Sequence, residues 1–199
     1  MRKLILTTAA VAAAICLAGC GNSNPNTLID NRDGKTYRTV IMPDGNRWMT
    51  QNLNYKTDSS WCYKSCNKYG RRYRWNTAMT VCPNDWHLPS STEWDSLAKS
   101  VGGEEDHHLI RKRFERNWQK VGTKLKSKRG WYENGNGSDD YGFSALSYDD
   151  GYNIAWWTST EINSDTANVR SIHYSGDLLI ESYCSKEHSE AVRCVADHP

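Results

Sequence analysis

The sequence predicts an α+β domain built on a twisted, mostly antiparallel sheet. Three observations predict it. Residues 37–49 read as a β-hairpin, with β-prone residues on either side of Pro43-Asp44-Gly45-Asn46. Ser90-x-x-Glu93, set before an apolar run at helical spacing, reads as the start of a helix. From 141 to 195, short β-prone pieces alternate with Gly, Asn and Asp turns. A hairpin, then helices, then a run of strands is the order of an α+β chain, and no internal repeat interrupts it.

In chain order, residues 20–29 are polar and turn-rich and read as a tether, which puts the domain at 30–199. Residues 37–42 and 47–49 are the hairpin strands. Residues 56–68 read as a loop closed by Cys62 and Cys66. In the helix that follows, Ser90 is the N-cap, Glu93 the reciprocal cap, and Pro89 is placed to staple onto Trp94. Trp94, Leu97, Ala98 and Val101 share one face, and Gly102-Gly103 ends it. A second helix is expected over 106–120, with Leu109, Ile110, Phe114, Trp118 and Val121 on one face. Its other face carries Arg111, Lys112, Arg113, Arg116 and Lys120, and the basic run continues to Arg129. Residues 134–140 are turn chemistry. Strands are expected at 154–158, 167–174, 178–183 and 191–195.

The start of the chain is of another kind. Arg2 and Lys3 precede an apolar, small-residue run over 4–17, and Leu17-Ala18-Gly19-Cys20 follows. This is the order of a secretory signal peptide. The run is short for a membrane span and stops at Gly21-Asn22-Ser23-Asn24. A cysteine at the cut resembles the lipobox of bacterial lipoproteins, which implies removal of 1–19 and acylation of Cys20. Gly21 stands where an aspartate would resemble an inner-membrane retention signal. The expected location is therefore the cell envelope, lipid-anchored at the outer membrane, with the membrane as a partner through the acyl chains.

Removing 19 of the 199 residues leaves 180, enough for one domain with a real core. Arg2 and Lys3 leave with the peptide, so 23 basic residues meet 23 acidic ones and global charge singles out no partner. Nine Trp and eleven Tyr accompany two Phe, so most aromatic rings carry a polar handle suited to a core or to a contact surface. Beyond Cys20 the chain has Cys62, Cys66, Cys82, Cys184 and Cys194. Export permits disulfides, and the absence of CxxC pairs and HExxH speaks against a zinc site. Cys62 and Cys66 can close a short loop. Cys82 and Cys194 can join the middle of the chain to its end, a closure that stabilises by about 4–5 kcal/mol. Cys184 is then left over, or competes with Cys82 for Cys194.

Trp86-His87-Leu88-Pro89-Ser90-x-x-Glu93-Trp94-x-x-Leu97 resembles the signature of the Fibrobacter succinogenes major paralogous domain. Further segments of that pattern lie in order along the chain. They are Asp33-Gly34-Lys35-Thr36-Tyr37, Trp48-Met49-x-x-Asn52-Leu53-Asn54-Tyr55, Tyr69-Gly70-x-x-Tyr73-x-Trp75 and Ala78-Met79-x-x-Cys82-Pro83. Behind it come Gly122-x-x-Leu125-Lys126-Ser127, Tyr141-Gly142-Phe143-Ser144-Ala145-Leu146, Trp156-Trp157-x-Ser159-Thr160 and Val192-Arg193-Cys194-Val195. The family is similar to the C-type lectin-like group, which includes formylglycine-generating enzymes. The resemblance implies a twisted antiparallel sheet flanked by two helices, a long loop region and adjacent termini. The chain departs from the pattern in its short Cys62–Cys66 loop, the apparent insertion at 104–120, Ser147 where proline is usual, and the extra Cys184.

No catalytic residue is expected. His87 has no Cys, Ser or carboxylate at a recognisable offset and reads as a hydrogen-bonded structural histidine, and Glu93 reads as a cap. Formylglycine generation would need a reactive cysteine pair, and Cys194 is better employed with Cys82. Calcium-dependent sugar motifs are absent. Asn134, Asn136, Asp139 and Asp140 read as an Asx-rich turn rather than a calcium site. No metal, no cofactor and no nucleic-acid partner is expected. The expected function is non-enzymatic recognition of a ligand, a glycan or an envelope component, by Trp61, Trp131, Tyr132 and Tyr152, which lie in turn-rich stretches. The alternatives are an assembly module that docks envelope proteins, and an enzyme with an unrecognised site.

Overall fold

The computed structural model describes residues 26–106, 116–148 and 150–198. The expected signal peptide, Cys20 and the centre of the expected second helix lie outside the described residues.

The chain joins the fold earlier than its composition suggests. Thr27–Ile29 is a strand, β1, antiparallel to β2 (Thr36–Ile41), and the Asn26 carbonyl accepts from the Thr39 amide at 2.8 Å. The last residues of the expected tether are therefore sheet. β2 turns into β3 (Arg47–Met49), with Thr39 opposite Met49 and Val40 opposite Trp48, as the hairpin signal predicts. Within the expected loop, β4 (Ser60–Trp61) and the helical turn α1 (Cys66–Tyr69) lead to β5 (Arg72–Tyr73), which pairs with β4. A second turn, α2 (Trp75–Ala78), and β6 (Trp86–His87) precede the long helix, α3 (Ser91–Ser100). Its N-terminus carries the expected capping box: Ser90 Oγ accepts from the Glu93 amide, and the Glu93 carboxylate accepts from the Ser90 amide at 2.7 Å.

The helix expected over 106–120 is corrected at both ends. β7 (Glu104–Asp106) and β8 (Asn117–Gln119) are antiparallel strands, with Asp106 opposite Asn117. Tertiary partners override the helical spacing here. The Trp118 backbone exchanges hydrogen bonds with Leu179, and its indole donates to Asp95 on α3 at 2.7 Å. The chain continues through α4 (Gly122–Leu125) and a 3-10 turn at Tyr132–Asn134 to the long strands β9 (Asn153–Glu161), β10 (Thr166–His173) and β11 (Ile180–Ser185). The last expected strand is two short ones, β12 (Glu190–Ala191) and β13 (Val195–Ala196).

These two strands belong to different sheets. One sheet runs β1-β2-β3-β13-β6 and the other β11-β10-β9-β12-β5-β4, with β7-β8 apart. Every strand pairing is antiparallel except β12 with β9. Residues 192–194 cross between the sheets, where Val192 and Cys194 carbonyls accept from the Leu53 and Met49 amides. The Cys82–Cys194 disulfide fixes the crossing, Cys62–Cys66 closes the short loop, and among the described residues Cys184 is the free thiol.

Seven of the nine indoles are buried, so Trp content mostly serves the core. Trp48, Trp94, Phe143 and Trp156 meet ring to ring at centroid distances of 4.9 to 6.2 Å, joining α3 to both sheets. Full burial of rings this size contributes about 1.5–3 kcal/mol each.

Candidate functional site

The four expected contact residues divide. Trp131 is buried at 6 % exposure, and its indole donates to the Ala145 carbonyl at 3.0 Å. It is a core residue, which corrects its placement on a contact surface; a turn-rich stretch had room for one inward ring. Trp61 is exposed on the edge strand β4, with the Arg74 guanidinium 5.5 Å from its ring. Tyr132 and Tyr152 are exposed and stacked, with centroids 4.4 Å apart and planes 27° from parallel.

Tyr174, not singled out by the sequence, completes that pair by standing edge-on to both rings at 5.3 and 5.5 Å. The backbone builds this cluster closely. Gly151 has φ +83°, and a Cβ there would lie 2.9 Å from the Tyr132 amide nitrogen. From below, Lys126 is buried with its ammonium bonded to the Tyr174 and Gly176 carbonyls, and burial pulls its pKa down. Hydrogen bonding to Tyr152, and then to Glu133, raises the Tyr132 phenol above its usual pKa. The cluster is an aromatic face with the Glu133 carboxylate against the Tyr132 phenol and the Lys126 ammonium against the Tyr174 backbone.

A second site lies where five of the quoted segments converge. Asn52 is its hub. Its Oδ1 accepts from the Trp156 indole at 2.8 Å and from Arg193 Nη2 at 3.1 Å, while its Nδ2 donates to the Tyr69 carbonyl at 2.9 Å. Arg193 is 1 % exposed, donates through Nη1 to the Phe143 carbonyl at 2.6 Å, and lies 4.4 Å over the Phe143 ring. Burial pushes this guanidinium down to about 9, against a weak upward pull from Asp139. Both Asp139 oxygens accept from Ser144, its amide at 2.7 Å and its hydroxyl at 2.6 Å. Over the hub sits α1, closed by Cys62–Cys66 and packed so tightly that a Cβ on Gly70 would lie 2.6 Å from Asn52 Cβ.

The remaining sequence candidates have structural partners. His87 lies between Glu93 at 2.7 Å and Asp197 at 2.5 Å. The Ser90 hydroxyl bonds to Glu93 rather than to His87, and both imidazole nitrogens meet carboxylates. Cys184 Sγ meets His188 Nδ1 at 2.9 Å, but burial, with Glu190 nearby, raises the thiol pKa and disfavours the thiolate. In the 134–140 turn, Asn136 and Asp139 turn inward to accept from Trp131 and Ser144. Among the described residues no group of three or more His, Cys, Asp or Glu is placed to hold a metal. In the described part of the basic run, Arg116 pairs with Asp95 and Glu105 and Lys120 with Glu104, while Lys128 and Arg129 are exposed.

Fold and site together define a sheet-rich α+β domain with an exposed tyrosine face and a buried Asn–Arg hub. Its residues 41–196 match the family model of the Fibrobacter succinogenes major domain, and the chain belongs to that family. No curated protein and no solved structure matches it.

Proposed function

We propose that this protein is a non-enzymatic lipoprotein of the cell envelope, anchored through Cys20 at the outer membrane, whose C-type lectin-like domain binds a glycan. The observation that carries the reading is the tyrosine face. Tyr132 and Tyr152 keep 39 % and 41 % of their surface in water although they stack on each other and meet the Tyr174 ring edge-on. Rings with an apolar body and a polar tip suit the alternating C–H and hydroxyl surface of a sugar. Backbone on both sides holds them in place, so little side-chain entropy is lost on binding. The lectin-like assignment draws on the sequence resemblance, the antiparallel sheets and the shared sheet of the first and last strands. The partners assigned to His87 and Cys184 support a binding role over catalysis.

The test is affinity electrophoresis and calorimetry of the full-length protein in detergent against a panel of neutral and acidic polysaccharides. Tyr132→Ala and Tyr152→Ala each weaken binding roughly three- to tenfold, the worth of one aromatic contact, with urea midpoints unchanged. Trp131→Ala instead unfolds the domain at lower urea, as a core truncation does. Retention of no polysaccharide across the panel overturns the reading and favours a module that docks envelope proteins.

A further inference from the structure

Three cavities of about 400, 220 and 260 Å³ adjoin one another. Arg38, Thr50 and Ser144 line the first and second, and Gln51, Asn52 and Lys68 line the second and third. The lining of this groove includes Lys35, Arg38, Lys68 and Arg193 and not one Asp or Glu. That imbalance is local, since the whole chain sets 25 basic residues against 23 acidic ones. Lys35 is paired with Asp33 at 2.5 Å. Arg38 and Lys68 are exposed, and among the described residues neither side chain has a carboxylate partner; the Lys68 ammonium rests 4.8 Å over Tyr69. Beneath them lies Arg193, bonded only to the neutral oxygens of Asn52 and Phe143.

We propose that the middle cavity is an oxyanion subsite and that the groove takes a carboxylate-bearing saccharide chain of the uronic-acid type. Arg38 and Lys68 pair with the carboxylate. Arg193 supplies a fixed positive charge from a low-dielectric floor, where a cleft of one sign concentrates its field. The hydroxyl and amide lining of the adjoining cavities, from Thr50, Gln51, Ser127 and Ser144, suits the hydroxyls of a sugar chain rather than an acyl chain or an amphipathic peptide. The glycan reading above is needed only for the sugar backbone. The oxyanion preference stands on the groove.

The experiment titrates the full-length protein with oligogalacturonate, with its carboxyl-reduced neutral counterpart, and with polyglutamate of similar length, in low and high salt. Oligogalacturonate binds at least about tenfold tighter than the neutral oligomer, and high salt weakens it, as screening of an exposed pair requires. The double variant Arg38→Ala/Lys68→Ala loses about tenfold or more in affinity with an unchanged urea midpoint, the cost of two charge-assisted contacts. Equal affinity for charged and neutral oligomers, or unaltered binding by the double variant, overturns the subsite. If binding then depends on Tyr132 alone, the glycan reading survives without it. Polyglutamate binding as tightly as oligogalacturonate overturns the saccharide assignment.

Discussion

Arg170 and Arg193 are both buried, at 0 % and 1 % exposure, yet their charges are answered in opposite ways. Arg170 Nη2 meets Asp95 at 2.8 Å and Glu181 at 3.2 Å, and Asp95 also holds Arg116 at 3.0 Å. With Glu105 on Arg116, three carboxylates face two guanidiniums, so the network around α3, β10 and β11 carries no unanswered positive charge. Arg193 has only an amide oxygen, a carbonyl and the faces of Phe143 and Trp156. Dipoles and ring quadrupoles stabilise a desolvated cation, a ring face by about 2 kcal/mol, but they leave its charge in place. Burial lowers both pKa values, in Arg170 against the pull of Glu181 and Asp95, in Arg193 against Asp139 alone. The first arrangement closes a structure. The second keeps a positive field at the floor of a groove.

The largest effect is expected where the closed network is broken. Asp95→Ala removes the acceptor shared by Arg170, Arg116 and the Trp118 indole. Breaking a buried ion pair costs about 3–5 kcal/mol, seen as a lower urea midpoint at constant m. Added anion leaves that midpoint where it is, because Arg170 is 0 % exposed and already faces Glu181. A loss below about 1 kcal/mol would mean that the network is only packing.

The open arrangement gives a smaller loss and a different signature. Asn52→Ala leaves the Trp156 indole and Arg193 without their shared acceptor, at about 2–3 kcal/mol for buried donors left unmade. Oligogalacturonate or inorganic phosphate at high concentration raises the variant's urea midpoint by more than it raises the parent's. The variant's cation has lost a neutral partner and gains more from a charged one. Equal shifts in the two proteins would place the anion away from Arg193.

The sequence made one side of this comparison far more legible than the other. The hairpin, the Ser90–Glu93 box and the three long strands follow from local chemistry: turn residues, cap residues and period. Cysteine count and spacing leave Cys82 and Cys184 both open as the partner of Cys194, and the fold selects Cys82. The helix over 106–120 failed because Trp118 and Asn117 answer to Leu179 and Glu181 across the chain, which periodicity does not register. Trp131 failed because local composition does not tell an inward ring from an outward one. Arg193 and Asn52 were in plain view inside quoted segments, but a charge is recognised as unbalanced only when its neighbours are known. Asn52 and Arg193 lie 141 residues apart. Tyr174 carried no signal at all, since its role is to stand against rings that other loops deliver.

The smallest effect is expected at the surface, where His87 is flanked by carboxylates as Arg170 is but remains 41 % exposed on its side chain. Burial lowers its pKa, and the hydrogen bonds from Glu93 and Asp197 outweigh this and raise it above 6.5. The stabilisation is therefore fully present below about pH 6.5, the unfolded value, and is lost as pH rises through the elevated folded value. For Glu93, burial raises the pKa, and bonds from Ser90 and His87 outweigh it and hold the pKa below 4.5. Its share is present above about pH 4.5 and disappears as pH falls through the lowered folded value. Solvent screening keeps the whole contribution to a fraction of a kcal/mol. Urea midpoints measured across pH should show the parent falling on the alkaline side of about 6.5 and His87→Gln lacking that fall. A parent profile that stays flat there would mean that two flanking carboxylates do no more for an exposed imidazole than water does. The contrast between charge answered in the core and charge answered at the surface would then be sharper than the geometry implies.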